Sequence, residues 1–435
     1  MNTLLKDCDP TVWELLNQET ARQCNGIELI ASENFTSRAV MEALGSTFTN
    51  KYAEGLPGRR YYGGNEVVDR LETLCQERAL KAFHCNEEWS CNVQPYSGSV
   101  ANAAVYLGIL KPHDRIMGLD LPSGGHLSHG YTTPSGKRLT ASSTYYESIP
   151  YTVDASGRLN YDEIEKLACA VKPRLLICGA SAYSRDWNYK RMKQIAVACG
   201  AYLMADIAHI SGFVATQLLE SPFPWCDIVT TTTHKTLRGP RSAIIFFKKH
   251  LHQINDAVFP GLQGGPHMNQ IAAVAVQLQE VMTQDFRQYM HQVLANSRKL
   301  CQELQDRGYS IVTGGTDNHL FLMDLHQLQI SGSRIEKALE YVGISVNKNT
   351  IPGDRSALLP NGIRIGVPAV TTRGMNEQDM VCIAQFIDLA IKEAVIIHAA
   401  ELSLPHYCKQ FEGNEVLNQI RKDITIFASK FPFYY

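Results

Sequence analysis

The middle of the chain alternates short apolar runs with segments of helical periodicity, and this alternation limits the fold more than any other feature. The apolar runs predict β-strands at Arg115–Leu119, Arg174–Cys178, Tyr202–Ala205, Asp227–Thr232 and Ala243–Phe247. Helices are predicted at Val100–Leu110 and Tyr189–Cys199. Strands separated by helices favour an α/β fold, with a mostly parallel sheet covered by helices on both faces. Ligands of such sheets bind at the carboxyl ends of the strands.

The segments on either side of this region predict two further parts. A helix over 10–24 is followed by an irregular, glycine-rich stretch, and a second helix begins at Asn65, whose side chain can cap it. One long helix or two joined helices over 271–307 lead into a smaller α/β region. The expected division is an N-terminal helical arm at 1–30, a large domain at 31–285 and a small C-terminal domain at 286–435.

Composition excludes several classes of protein. The 435 residues carry a formal net charge of −2, which argues against nucleic-acid binding. None of the twelve cysteines forms a C-x-x-C pair, so they predict free thiols in a reducing compartment, and no metal site is expected. The N-terminal segment contains acids and no apolar block, and no uncharged apolar run approaches the ~18 residues of a membrane span. A cytoplasmic protein without membrane contact is therefore expected.

Three short motifs carry candidate chemistry. Ser97-Gly98-Ser99 opens a predicted helix, where free N–H groups and two hydroxyls could bind phosphate; a plain serine cap is the alternative. Asp206 ends an apolar strand and could hold a pyridine nitrogen protonated; the alternative is a structural carboxylate.

The third motif is Lys235, at the end of the threonine-rich strand DIVTTTTHK. A lysine at the crevice end of an internal strand is costly unless it has a function. Burial and nearby cations lower the pKa of such an amine, which favours Schiff-base chemistry. A phosphate loop, a carboxylate and a lysine in this order indicate a fold-type I enzyme that uses pyridoxal phosphate.

Longer motifs resemble those of the serine hydroxymethyltransferase family, more closely its eukaryotic branch. They span nearly the whole chain: LIASENFTS, TNKYAEGLPGRRYYGG, VQPYSGSVAN, SGGHLSHG, SAYSR, ADIAHISG, VTTTTHKTLRGPR, FPGLQGGP, GGTDNHLFL, VNKNTIP and GIRIGVPAVTTRG. The resemblance implies a seven-stranded sheet in a fold-type I transferase. It also implies reversible conversion of L-serine and tetrahydrofolate to glycine and 5,10-methylenetetrahydrofolate, in an assembly of at least two copies, either a homodimer or a homotetramer.

The resemblance assigns roles around the cofactor. Lys235 would carry pyridoxal phosphate, Asp206 would pair with its ring nitrogen, and His126 would stack on its ring. His209 and Ser181 would lie near the phenolic oxygen. The phosphate would be held by Ser97, Gly98, Ser99 and His234. Tyr52 and Gly265 would reach the cofactor from a neighbouring subunit.

The resemblance also assigns roles around the substrates. Arg364 would bind the serine carboxylate through paired donors, with Ser32 adding another. Glu54 would transfer protons near the serine hydroxyl, which requires partial desolvation, and Tyr62 would lie beside it. The folate contacts would be Leu121, Gly125, Leu127, Asn347, Ser356, Ala357 and Leu358. The alternatives are a folate-independent aldolase of the same fold and a non-catalytic homologue.

Overall fold

The computed structural model describes residues 3–133, 135–354, 359–400 and 403–431. Its strands, in chain order β1 to β15, are Ile27–Glu28, Gly55–Leu56, Arg59–Arg60, Trp89–Asn92, Arg115–Met117, Glu147–Ser148, Leu175–Cys178, Tyr202–Asp206, Ile228–Thr232, Ala243–Lys248, Ser310–Ile311, Leu320–Asp324, Ile344–Ser345, Asn347–Asn349 and Gly362–Gly366. Within these ranges, no helix is both long enough and apolar enough to cross a membrane.

Seven of these strands form the central sheet, in the order β4-β10-β9-β8-β7-β5-β6. Only β10 runs against its neighbours β4 and β9, so the predicted mostly parallel seven-stranded sheet is confirmed. All residues of β7 are buried, and its side chains alternate between two apolar clusters. Leu175 and Ile177 pack into one cluster, and Leu176 and Cys178 pack into the other. Both faces of the sheet are therefore covered, as the apolar runs predict.

The α-helices cover these faces and build the two ends of the chain. In chain order, α1 to α17 are Leu5–Cys8, Pro10–Asn25, Arg38–Leu44, Glu66–Ala82, Gly98–Ile109, Ala141–Tyr145, Tyr161–Val171, Tyr189–Cys199, Ser211–Ala215, Ile254–Asp256, Met268–Val281, Gln284–Asp306, Gly332–Val342, Pro368–Thr372, Glu377–His398, Leu404–Lys409 and Glu415–Ala428. Helix α8 shows why such bounds can be predicted. The side chain of Asn188 accepts a hydrogen bond from the Arg191 N–H at its start, and Gly200 takes a left-handed φ of 74° at its end.

A second, four-stranded sheet has the order β11-β12-β15-β14, and all of its pairings are antiparallel. The N-terminal arm joins this region, because β1 pairs in parallel with β13. The Gly366 N–H at the end of β15 also donates to the carbonyl of Leu29. The segment after β1 is thereby held against the strand that contains Arg364.

The structure corrects two details of the sequence-based expectations. Asn65 precedes α4, but its side chain does not cap the helix; its amide donates to the carbonyl of Tyr62 at 2.8 Å. The strands β4 and β6 are not predicted, because Trp89–Asn92 and Glu147–Ser148 are short and partly polar. Of the two alternatives for 271–307, one long helix or two joined helices, the structure contains two helices, α11 and α12.

Candidate active site

The carboxyl ends of β8 and β9 bring the candidate residues together. Asp206 is the last residue of β8, and Lys235 follows the end of β9. A cavity at this edge of the sheet is lined by Gly98, His126, Ala180, Ser181, Asp206, Ala208, His209, Thr232 and Lys235. Apart from Ala180, these residues belong to five separate sequence motifs, and the sheet topology brings them together.

Lys235 is buried, with only 8% of its surface exposed. Burial lowers the pKa of its amine to about 8, and the charges of Arg364 and Arg241 act in the same direction while Asp206 opposes them. Its backbone is fixed from outside the cavity, because the Asn34 amide donates to the Lys235 carbonyl at 2.9 Å. The amine is therefore held in place and is partly neutral near physiological pH, as a nucleophile requires.

Asp206 lies at the centre of a hydrogen-bond network. Its Oδ2 accepts from Nδ2 of Asn102 at 2.9 Å and from Nε2 of His129 at 3.0 Å, and its Oδ1 accepts from the Ala208 N–H at 3.1 Å. Burial by itself would raise the pKa of Asp206. The hydrogen bond from His129, with the electrostatic influence of His129, His126 and Lys235, outweighs burial and holds that pKa below its ordinary value. A carboxylate kept ionised in this way can stabilise a protonated ring nitrogen.

The residues predicted to bind phosphate lie at the start of α5 and the end of β9. Ser97 precedes the helix, yet its side chain makes no capping hydrogen bond, so the plain serine cap is not what the structure contains. A Cβ on Gly98 would lie 2.8 Å from Cγ2 of Thr232, so only glycine allows this approach. Nδ1 of His234 is buried without a hydrogen-bond partner among the described residues. These groups leave donors available for an anion at a helix N-terminus.

Two histidines border the cavity. His126 precedes a short 3-10 turn at Leu127–His129, and burial lowers its pKa to about 4. His209 is buried, and burial together with the charges of Lys235 and Arg364 holds its pKa well below the ordinary value. Both rings are therefore neutral at pH 7, so His126 can stack on a ring without adding charge.

Arg364 lies in β15, next to the cavity, and is almost fully buried. Its Nε donates to Oδ1 of Asn347 at 2.8 Å, and its Nη1 donates to the carbonyl of Ser181 at 2.6 Å. Burial lowers its pKa to about 10, so the guanidinium stays charged at pH 7. Two of its donors hold the group in position, and its remaining donors can bind a carboxylate.

A second group of predicted residues forms a separate cluster on the same chain. Tyr52 and Tyr62 pack edge to face with ring centroids 5.4 Å apart, and the Tyr52 hydroxyl lies 3.4 Å from Oε1 of Glu54. Gly265 lies against the Tyr52 ring. These four residues are not among those that line the Lys235 cavity, and both tyrosine rings are exposed.

Comparison with known proteins identifies the family. The family described as serine hydroxymethyltransferase matches residues 5–387. The chain is 51% identical to serine hydroxymethyltransferase 4 of Arabidopsis thaliana, covering 99% of this chain and 95% of that protein. It is 49% identical to the cytosolic serine hydroxymethyltransferase of Saccharomyces cerevisiae, covering 98% of this chain and 96% of that protein. The chain belongs to the serine hydroxymethyltransferase family.

Membership of the serine hydroxymethyltransferase family confirms the predicted fold type, the enzyme class and the reaction. It also confirms the predicted cofactor, pyridoxal phosphate, and the co-substrate, tetrahydrofolate. The residues present fit this cofactor. The cavity contains a buried lysine of lowered pKa and an ionised aspartate. It also contains Gly98, the first residue of α5, and Nδ1 of His234, which precedes Lys235 in the sequence, has no hydrogen-bond partner among the described residues. The expectation of no metal site stays a prediction. His126, His129 and Asp206 have potential metal-ligand atoms within 4.8 Å of one another, but hydrogen bonds among these residues account for this closeness.

The folate contacts stay a prediction, and the structure describes the surroundings of most of these residues. Gly125 is tightly enclosed, because a Cβ there would collide with the carbonyl of Leu119. Leu127 is exposed and Leu121 is half-buried, while the oxygen of Asn347 is engaged by Arg364. Ser32 is half-buried beside Ala31, which packs on Gly366 of β15. Ser356, Ala357 and Leu358 lie outside the described residues.

Four functional residues are not singled out by the sequence reasoning: Asn34, Asn102, His129 and His319. All four occur within quoted motifs, but only two of them could have been found from their spacing within those motifs. Asn102 follows Gly98 by one helical turn and therefore shares its face of α5, and His129 follows His126 in SGGHLSHG. Asn34 and His319 act across long sequence separations, which no local pattern records.

Replacing Arg364 by lysine should weaken serine binding more than turnover. A lysine cannot keep both anchoring bonds and still offer paired donors to a carboxylate. We expect the KM for serine to rise about 10- to 100-fold, with a smaller change in kcat. Steady-state kinetics with varied serine measure this. The exposed Arg421→Lys is the matched control, and an unchanged KM in Arg364→Lys would contradict the clamp.

Proposed function

We propose that the Lys235 cavity transfers the hydroxymethyl group of L-serine to tetrahydrofolate, giving glycine and 5,10-methylenetetrahydrofolate, and that it also catalyses the reverse reaction. One observation carries the proposal: a lysine of lowered pKa, an ionised aspartate and a partly free arginine meet in one buried space. Bound pyridoxal phosphate supplies an electron sink for the pair released when the Cα–Cβ bond of serine breaks.

The side chains have distinct proposed tasks. Arg364 binds the serine carboxylate and so orients the amino acid, while the Lys235 amine provides the attachment point for the cofactor. Asp206 holds a proton on the ring nitrogen, because its carboxylate stays ionised in a buried setting. Glu54 takes or returns the proton of the serine hydroxyl.

The direct test is an assay of serine cleavage by the purified protein, with and without tetrahydrofolate. Tetrahydrofolate should accelerate glycine formation strongly, and 5,10-methylenetetrahydrofolate should appear in equal amount. Cleavage that proceeds equally well without tetrahydrofolate would support the folate-independent aldolase instead. Absence of any turnover in the cofactor-loaded protein would support a non-catalytic homologue.

The active unit is proposed to be a homodimer at least, in which each subunit supplies Tyr52, Glu54, Tyr62 and Gly265 to the cavity of the other. Two features support this arrangement. The Tyr52 cluster lies outside the Lys235 cavity of its own chain, and it is exposed together with Tyr61, which is 73% exposed.

In addition, helix α2 exposes large apolar side chains and has no buried residue; these side chains are Val12, Trp13, Leu15 and Leu16. Exposed apolar surface of this kind marks protein interfaces. Native mass measurement distinguishes a homodimer from a homotetramer.

Mixed dimers test this exchange of residues. Lys235→Met and Glu54→Gln should each be inactive alone, and their co-expressed mixture should regain about one quarter of wild-type activity. In random pairing, half of the dimers contain one chain of each variant. If Glu54 acts across the interface, one of the two sites in each mixed dimer has both native residues, so one quarter of all sites are intact. Co-expression of two differently tagged chains measures this. A mixture without activity would place Glu54 and Lys235 of one chain in the same site.

The division into an arm at 1–30, a large domain at 31–285 and a small domain at 286–435 is proposed on the same basis. The start of α12 at Gln284 supports the second boundary, and the pairing of β1 with β13 associates the end of the arm with the small domain. Limited proteolysis with identification of the fragments tests both boundaries.

The cytoplasm is the proposed compartment. The twelve cysteines are free thiols, which suits a reducing environment. Relatives of comparable identity have cytosolic, mitochondrial and chloroplastic names, so the family by itself does not decide. Imaging of the chain with a fluorescent protein at its C-terminus distinguishes the compartments.

A further inference from the structure

A buried pair of histidines joins the Lys235 cavity to the second sheet. Nδ1 of His209 lies 3.3 Å from Nε2 of His319, and the two rings are nearly parallel at 21°. His209 borders the cavity, whereas His319 immediately precedes β12 and is fully buried. His209 lies in the turn after a strand of the central sheet, and His319 lies just before a strand of the second sheet, so their contact is part of the connection between the two sheets.

His319 is held rigidly by its own surroundings. The Val367 N–H donates to the His319 carbonyl at 3.1 Å. The amide of Asn318 donates to the carbonyl of Tyr183 at 3.0 Å, and its oxygen accepts from the Leu320 N–H at 3.1 Å. The Phe213 ring packs against the His319 ring with centroids 6.0 Å apart. These contacts fix the backbone on either side of His319 and one face of its ring. Nδ1 of the ring is buried without a hydrogen-bond partner among the described residues, so its bond to His209 is what links the orientations of the two rings.

Both imidazoles are neutral at physiological pH. Burial lowers the pKa of His319 to about 3, and the positive charges of Arg364 and Lys235 act in the same direction. His209 is buried beside the same two cations, with His126 also nearby, and its pKa is lowered as well. A neutral imidazole has one N–H and one bare nitrogen, so a single proton lies between Nδ1 of His209 and Nε2 of His319. The tautomer of one ring therefore determines that of the other.

We propose that His319 is a positioning residue that fixes the ring orientation and the tautomer of His209. The remaining nitrogen of His209, Nε2, then presents a single state, either a proton or a lone pair, to the group that Lys235 carries. This role rests on the proposed function of the cavity, in which His209 lies beside the cofactor. His319 lies behind His209 and acts on the reaction only through it.

His319→Phe tests the role, because it keeps a ring of similar size and removes both nitrogens. We expect the turnover number to fall about 10- to 100-fold, with the KM for serine changed less than about threefold. His319→Gln offers an amide nitrogen or oxygen near the position of Nε2 and should recover turnover to within about threefold of the wild type. A structural role alone would not predict this recovery.

Phe213→Leu is the matched packing control, since it alters a contact of the same ring and leaves the His209–His319 bond intact. It should change turnover by less than about threefold. A loss in Phe213→Leu as large as that in His319→Phe, or no loss in a folded His319→Phe, would overturn the proposal.

The second readout does not depend on activity. Solid-state ¹⁵N spectra are recorded on histidine-labelled protein without cofactor, and the His209 signals are assigned by their loss in His209→Asn. His209 should show one tautomer in the wild type and a mixture of tautomers in His319→Phe. If His319→Phe does not fold, the wild-type spectrum decides: two interconverting tautomers of His209 would overturn the proposal. Failure of the folate assay would refute the proposed function and leave this result unaffected.

Discussion

Replacing Lys235 by methionine should abolish turnover and, at the same time, stabilise the cofactor-free protein. The activity should fall by about 10⁴-fold or more, because the only amine that lines the described cavity is lost. The pKa of Lys235 is lowered from an ordinary 10.5 to about 8, so the folded protein holds a proton at pH 7 at a cost of roughly 3 kcal/mol. Methionine has a similar length and no charge, and the free energy of unfolding should rise by up to that amount.

The pH dependence distinguishes this explanation from a simple packing gain. The unfolded chain binds more protons at this position than the folded protein does between pH 8 and 10.5, so the wild type gains stability as pH rises through that window. The advantage of Lys235→Met should therefore be largest below pH 8 and shrink towards pH 10.5. Denaturant unfolding of the cofactor-free proteins measures it.

Lys422→Met is the matched control for Lys235→Met, because Lys422 is exposed on α17 and distant in sequence from the cavity motifs. It should leave both activity and its pH-dependent stability close to those of the wild type. A Lys235→Met protein that retained substantial turnover would refute the central role of this lysine. A stability difference that stayed constant with pH would refute the electrostatic cause.

Much of the fold and of the cavity could be predicted because it depends on local patterns. The buried strands are apolar and short, and the helices between them carry recognisable ends, as Asn188 and Gly200 show at α8. Asp206 and Lys235 could be placed at one edge of the sheet from this alternation alone, since parallel strands end on the same side. Their roles then followed from the chemistry of a carboxylate and an amine in a buried crevice.

The residues that hold this chemistry in place could not be predicted in the same way. His319 contacts His209, and Asn34 contacts Lys235, across large sequence separations, so neither contact has a local signal. Asn347 illustrates a different limit: its motif indicates folate contact, but the structure adds that its oxygen orients Arg364. Asn65 was expected to cap α4, yet its amide is used to hold Tyr62 near the Glu54 segment. Tertiary contacts take precedence over local preference at these positions.

Replacing Asp206 by asparagine should lower turnover about 10²- to 10⁴-fold, although the substitution changes the shape of the side chain very little. Three donors face the two carboxylate oxygens: Asn102, His129 and the Ala208 N–H. Whichever way the amide is turned, its NH₂ group meets at least one donor. His129 cannot relieve the conflict by changing tautomer, because its Nδ1 faces the His126 N–H at 3.4 Å. Each such mismatch should also destabilise the folded protein by about 1–3 kcal/mol.

Asp227→Asn is the matched control for Asp206→Asn, because Asp227 immediately precedes β9, at the opposite edge of the same sheet. It accepts from Lys193 at 2.9 Å and from the Leu203 N–H at 2.8 Å, so its loss should reduce stability without a comparable loss of turnover. For Asp206, the lowered pKa means that its stabilising contribution is present above the ordinary carboxyl pKa of about 4 and is lost as pH falls below it. The difference in the free energy of unfolding between the wild type and Asp206→Asn should therefore become smaller as the pH falls below about 4. Equal turnover in Asp206→Asn and Asp227→Asn would show that the ionised carboxylate at the end of β8 is not needed for the reaction.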